Sequence, residues 1–444
     1  DAGSLITSNS LAATQGSSST GGETSSIAFS GMTDIWLFAV VDIINTSTTQ
    51  VLYESSTNFN QNAGAFGMFI QSGRLEIANR YSGGAAMLKR YNISTGRQVI
   101  SIRLRAGVDV NTFSELYING VTASTHSTAG SGTSVFSDQV LYLNARSGTS
   151  IGFTGKRQAS IFYPSDQSSN RVGIETNMMD YYGFLFLDRI TDAQAAFSLR
   201  KLRAAYSGSA IRVRRSSDNA EQDIGFTSGD LDTTSLATFV GANSGYVTTW
   251  YDQSGNGYDA SNASASVQPK IVDAGSLITS GGKAAIEFAP SSGANGVRLF
   301  TGSFGAISQP VTTFAVAETT DATDSTKVIL DGVSNPFFLA RDSTYEIGAG
   351  GALGNSVTDI VAPRLWYGLY NGVSSELGYN DVSTTTGNAG TNALDGLSIG
   401  NIRSLIAPNY AWVGTIQEVI LYPSNKSSDR TTANGLINAY YGIY

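Results

Sequence analysis

Apolar residues along this chain fall in runs of strand length. Ile35-Trp-Leu-Phe-Ala-Val-Val41 is continuous, as in a strand buried on both faces, whereas Leu75-Glu-Ile-Ala78 and Val99-Ile-Ser-Ile-Arg-Leu-Arg105 alternate. A period of two places alternate side chains on opposite faces, so each alternating run predicts a strand with one face in a core and the other in water. Glu115-Leu-Tyr-Ile-Asn-Gly-Val121 runs into an Asn-Gly pair, a strong hairpin signal because both residues tolerate positive φ. Glu376-Leu-Gly-Tyr-Asn-Asp-Val382 repeats that design later in the chain.

The pattern occurs twice. Asp1 to Thr7 and Asp273 to Thr279 share the heptapeptide Asp-Ala-Gly-Ser-Leu-Ile-Thr. Tyr163-Pro-Ser-Asp-Gln-Ser-Ser-Asn-Arg171 matches Tyr422-Pro-Ser-Asn-Lys-Ser-Ser-Asp-Arg430. Each follows a strand, Ala159 to Tyr163 or Glu418 to Tyr422, and predicts a short helix that ends at Tyr-Tyr-Gly, with Pro before the helix and Gly after it. Such duplication favours a protein that binds or builds, and reads as an excerpt from an array. The 444 residues suit two domains, 1–184 and 185–444.

Residues 185–272 break the repeat and are expected to open the second domain, so Asp273 lies inside that domain and the first copy lacks an equivalent front segment. Thr191-Asp-Ala-Gln194 reads as a capping box, and Ala196, Leu199, Leu202 and Tyr206 recur at helical spacing before Gly208, which predicts an amphipathic helix. A strand over Ala210 to Arg215, a turn at Ser216 to Asn219, a helix over Asp232 to Phe239 and a strand over Gly245 to Tyr251 follow.

Composition narrows the function. Charged residues are 14% of the chain and glycine numbers 49, which suits many short strands and polar turns. A net charge of -8 argues against a nucleic-acid partner. With no cysteine and one histidine, His126, there is neither a disulfide framework nor a thiolate or multi-histidine metal centre. No apolar run is long enough to predict membrane insertion, and the first residues lack both an initiator Met and a basic-then-apolar leader, as in a processed or truncated chain.

Leu202-Arg-Ala-Ala-Tyr-Ser-Gly208, Arg215-Ser-Ser-Asp218 and Tyr251-Asp-Gln-Ser-Gly-Asn-Gly257 resemble the start of the catalytic domain of fungal arabinofuranosidase B, a glycosidase with a concanavalin-A-like sandwich. The hairpins and closing strand-helix elements resemble laminin-G-like and concanavalin-A-like jelly rolls, and similar strings occur in bacteriophage tail and fibre proteins. The fold expected is therefore all-β: two tandem jelly-roll β-sandwiches with a few short helices. The arabinofuranosidase resemblance implies an acid/base Asp shortly before the last strand, and Leu397-Ser-Ile-Gly-Asn-Ile-Arg403 has none. It implies a nucleophile Glu in a central strand, where the best alignment finds the apolar Asn335-Pro-Phe-Phe-Leu-Ala340.

Both positions then read as lost. The expectation is a protein that is not an enzyme, with no catalytic residue. Its setting would be the surface or tail fibre of a bacteriophage virion, outside the cell, its lectin-like domains meeting a cell-surface or extracellular glycan, further copies of the chain or other virion proteins. A secreted bacterial glycan-binding adhesin is one alternative, and a glycoside hydrolase related to arabinofuranosidases is a second. No cofactor is expected, apart from calcium as a candidate ion at an oxygen-rich loop formed by Asp252, Asn256 and Asp259, for which a tight turn is the competing explanation. The basic side chains between Arg200 and Arg215 read as a solvated charged face, given Asp218, Glu221 and Asp223 nearby. Trp36, Trp250, Trp366 and Trp412 read as core, and His126 as an exposed loop residue.

Overall fold

The strand Gly96–Arg105, which contains the alternating run, pairs along its whole length with Asp34–Ile43 and, on its other edge, with Ser114–Ile118. A computed structural model describes the chain except residues 1–6, 9–10, 13, 17–21, 57, 82–84, 148–149, 289–295, 321–326, 343, 356–361, 383 and 403–409. The opening heptapeptide thus lies mostly outside the described residues. The chain divides into two compact units, Asp1–Phe184 and Leu185–Tyr444, and both are sandwiches of antiparallel strands.

In the first unit one sheet runs Val121–Thr122, Ser114–Ile118, Gly96–Arg105, Asp34–Ile43, Gly155–Tyr163 and Thr14–Gly16. The other runs Thr125–Ala129, Ala86–Asn92, Arg74–Arg80, Phe66–Gln71, Gln50–Ser55, Gln139–Leu143 and Gly22–Ile27. Leu37, Ala39, Val41, Ile100 and Ile102 of the first sheet meet Met68, Ile70, Leu75 and Ile77 of the second in one core. Asn119 and Gly120, at φ 50° and 86°, form the turn that their side chains tolerate. The expectation of a wet second face on Gly96–Arg105 is corrected: Val99 and Ser101 are buried. There Val99, Trp36 and Phe38 form a smaller cluster with Met178, Met179 and Phe184, brought by the helix Arg171–Tyr181 and its following turn.

The second unit repeats this plan. Gly414–Tyr422 pairs with Val311–Thr319, which pairs in turn with Arg364–Tyr370, Ser375–Tyr379 and Thr385–Gly387. The opposing layer runs from Ile211–Arg215 through Gly245–Trp250, Ala260–Ser261, Leu299–Phe300, Ser398–Ile399 and Lys327–Asp331 to Phe338–Asp342, Thr344–Gly348 and Leu353–Asn355. Val419, Leu421, Ala315 and Trp366 face Leu330, Leu339 and Ile347 across the core. Ile420, Tyr422, Phe314 and Tyr367 face outward beneath the helix Arg430–Tyr441 and the segment 186–202. All four tryptophans are buried, as their strand-like settings predict.

The helix expected over Ala196 to Tyr206 does not form. Ala195–Ser198 is a strand paired with Glu418–Leu421, and helix occurs earlier, at Phe186–Arg189. Asp192 sits at φ 68°, which a helix start cannot use. The backbone groups that a helix would have satisfied internally go elsewhere: Gln253 accepts from the Leu202 N–H at 2.8 Å and donates to the carbonyls of Ser198 and Arg200 at 3.0 Å each. Tertiary partners outcompete the local periodicity. The helix Thr233–Val240 does form, capped by Asp232, whose carboxylate accepts from the Ser235 N–H at 3.0 Å.

Candidate active site

The motif Tyr251 to Gly257 follows the strand Gly245–Trp250 and acts as a clasp. Asp252 is buried, and its Oδ1 accepts from the N–H groups of Ala196 and Ser254, each at 2.9 Å. Its Oδ2 accepts from the Ser254 hydroxyl at 2.7 Å and the Tyr258 N–H at 3.1 Å. Asn256 turns its Nδ2 to the carbonyls of Ala193 and Gln194, 3.0 Å from each. Gly255 and Gly257, at φ 95° and 77°, allow the loop to double back, and the Asp252 N–H donates to Asp259 Oδ1 at 2.9 Å. Burial raises the Asp259 carboxyl, and the Asp252 charge adds to this against that hydrogen bond. A cation among Asp252, Asn256 and Asp259 would have to displace the four bonds to Asp252. Among the described residues, no group of three or more His, Asp or Glu side chains converges as a cation site. What the motif does in the fold is fasten residues 193–202 to the sandwich.

The two stretches in which the sequence shows no catalytic carboxylate lie in neighbouring parts of one sheet. Ser398 pairs across strands with Asp331, and Ala340 with Glu346. Leu330, Leu339, Ile347 and Ile399 all point into the core. Their strand neighbours Asp331, Ala340, Glu346 and Ser398 therefore belong to the opposite, outer face. Phe300, half-buried, continues this row because it pairs with Ser398. Each apparent vacancy thus has a carboxylate directly across the strand pairing. Asp331 is almost fully buried, and its Oδ1 accepts from the N–H groups of Gly332 at 2.8 Å and Phe337 at 3.0 Å. Asp395 accepts from Val333 at 3.2 Å and Ser334 at 3.1 Å, so two acids grip the 332–337 loop. Glu346 is half-buried, one strand beyond. Asp331 and Glu346 are separated by the single strand Phe338–Asp342, about 10 Å at the backbone.

Neither residue stands out in the sequence, although a signal exists. Asp331 ends an apolar strand, and Glu346 occupies the wet phase of the alternation Tyr345-Glu-Ile347. Only the strand register reveals that they share a face with Ser398 and Ala340.

Residues 185–326 match the family model described as "Alpha-L-arabinofuranosidase B, catalytic". No curated protein matches the chain. Among solved structures, an arabinofuranosidase complexed with arabinofuranosyl-α-1,2-xylobiose is 18% identical, with a TM-score of 0.41 over 56% of this chain and 62% of that one. The chain therefore spans less than two thirds of that enzyme. Domains LG4-5 of the mouse laminin α1 chain are 9% identical, with a TM-score of 0.26 over 91% of this chain and 86% of that one. The carbohydrate-binding module CBM40 of a Ruminococcus gnavus sialidase is 12% identical, with a TM-score of 0.27 over 37% and 97%. Likenesses this loose carry no functional argument, and the weight rests on the family match.

That match overturns the expectation of a non-catalytic bacteriophage surface or tail fibre protein that is not an enzyme. The matched stretch belongs to a catalytic domain, and none of these similarities is to a phage protein. The non-catalytic reading rested on residues 335–340 and 397–403, both beyond the matched stretch, which ends at 326. Beyond that point an alignment gap can shift a carboxylate to the adjacent strand, as Asp331 and Glu346 illustrate.

Proposed function

We propose that the unit Leu185–Tyr444 is a glycoside hydrolase of the arabinofuranosidase kind, with Asp331 and Glu346 as its two carboxyl groups and a glycan as its partner. The observation that carries this reading is the family match over 185–326, which is strongest where the chain is most unlike its own first unit. Glycoside hydrolysis needs one carboxyl group to protonate the leaving oxygen and a second to attack the anomeric carbon or activate water. Asp331, pinned by two backbone N–H donors, suits the fixed second role. Glu346, longer and half-buried, is assigned the proton donor. The proton passes to the glycosidic oxygen as its bond to the anomeric carbon breaks, and water supplies the new hydroxyl.

The test is release of arabinose from an aryl α-L-arabinofuranoside by the intact protein. Asp331→Asn and Glu346→Gln are each expected to lower turnover by about 100- to 10,000-fold. The anomer first released reads the carboxyl separation, with retention for about 5 to 5.5 Å and inversion for about 6.5 to 9.5 Å. No turnover of any aryl furanoside or pyranoside by the folded wild type would end the reading.

A further inference from the structure

Arg298 is 2% exposed, yet its Nε and Nη1 lie sealed from solvent without a hydrogen-bond acceptor. It forms no ion pair among the described residues. Its main chain is fixed, since its N–H donates to the Val267 carbonyl at 3.1 Å and its own carbonyl accepts from Asn262 Nδ2 at 2.9 Å. Its guanidinium lies over the Phe300 ring, 4.6 Å from the centroid. Other buried arginines of this unit are treated differently. Arg200 grips Glu418 through two nitrogens, at 2.8 and 2.9 Å, and Arg214 binds Gln268 at 2.7 Å and Asn219 at 2.9 Å. A guanidinium is a planar fork of donors suited to a carboxylate, and burying one unpaired is costly. Burial alone lowers the Arg298 pKa, with no opposing carboxylate to restore it.

The neighbours of Arg298 say where its acceptor would come from. Phe300, its stacking partner, pairs with Ser398, and Ser398 pairs with Asp331. The unpaired cation therefore borders the outer face that carries the two candidate carboxyl groups. We propose that Arg298 receives the carboxylate of a uronic-acid residue, so that the glycan taken by this unit is acidic and the cleaved sugar lies beside a uronosyl unit. This assignment of substrate class rests on the hydrolase reading.

The experiment compares a glucuronate-bearing xylo-oligosaccharide with its neutral counterpart by titration calorimetry on the intact protein, alongside hydrolysis of a neutral aryl arabinofuranoside. The acidic oligosaccharide is expected to bind about tenfold more tightly than the neutral one, as one charge-assisted contact implies. Arg298→Met should abolish that difference, and Arg298→Lys should keep part of it. Equal affinities in the wild type would overturn the inference without needing a variant, and so would full discrimination by folded Arg298→Met. If the wild type hydrolyses the neutral aryl substrate but does not discriminate, Arg298 fails and the hydrolase stands. If it discriminates but hydrolyses nothing, the hydrolase fails and the acidic-glycan site stands.

Discussion

The two units close with the same device and differ by one residue in its middle. Gly155–Tyr163 and Gly414–Tyr422 are strands of equal length, and each skips one residue in its pairing, at Gln158 and Gln417. In each, the second tyrosine of Tyr-Tyr-Gly returns its hydroxyl to the carbonyl of that glutamine: Tyr182 to Gln158 at 3.1 Å and Tyr441 to Gln417 at 3.4 Å. The next residue is Ala159 in the first unit and Glu418 in the second. Ala159 packs beside Met178 and Met179, an apolar joint. Glu418 is fully buried and takes Arg200 through two nitrogens, the Ser198 hydroxyl at 2.8 Å and the Tyr441 hydroxyl at 3.2 Å. Arg200 belongs to the front segment, so one substitution on a shared frame separates a unit that closes on itself from one that holds an added segment. That segment is also where the match to an arabinofuranosidase catalytic domain begins.

The sharpest way to break this contrast is Arg200→Met. It leaves Glu418 charged and unpaired beneath the helix, which should destabilise the second unit by about 3 to 5 kcal/mol and leave the first unit's unfolding transition in place. Differential scanning calorimetry of the intact chain reads both. Adding Glu418→Leu should recover most of the loss, since an apolar pair of similar volume often matches a buried ion pair. A shift under about 1 kcal/mol for Arg200→Met would mean that the pair is no more than a surface salt bridge in its effect.

A smaller loss should follow Asp252→Ala. The Ala196, Ser254 and Tyr258 N–H groups lose their acceptor together, for about 2 to 3 kcal/mol. The clasp explanation requires excess calcium to leave the wild-type unfolding temperature unchanged. A calcium-dependent rise, lost in Asp252→Ala, would restore the cation explanation of this loop.

The all-β sandwich was legible because its signals are local: alternation in Gly96–Arg105, the Asn119-Gly120 turn and the tryptophans in apolar runs. The helix expected after Thr191 failed because Gln253, about fifty residues on, takes the backbone groups that a helix would use. The Arg200–Glu418 pair spans 218 residues, a distance that no periodicity encodes. The candidate carboxyl groups were hidden for a related reason. Sequence comparison asks whether an acid occupies a position on one strand, whereas the sheet places Asp331 and Glu346 across from the positions examined. The non-enzyme expectation failed at that step, while the resemblance in the front segment pointed the right way.

The smallest effect contrasts how the units respond to acid. Glu54 of the first unit is fully buried, and burial raises its carboxyl pKa above the ordinary 4.5 despite Arg146 at 2.9 Å. A raised carboxyl binds its proton more readily in the folded state, so its contribution is complete below pH 4.5 and is lost as pH rises through the folded value. Asp232 of the second unit is lowered below its ordinary 3.8, chiefly by the Ser235 N–H and hydroxyl. Its contribution is present above that value and fades as pH falls through the lowered one. Acidification should therefore favour the first unit through Glu54 and weaken the second through Asp232. Calorimetry across the carboxylate range should show the gap between the two transitions changing, with Glu54→Gln flattening the first unit's share. A first transition whose pH response is identical in Glu54→Gln would show that the Arg146 pair, and not burial, governs this carboxyl.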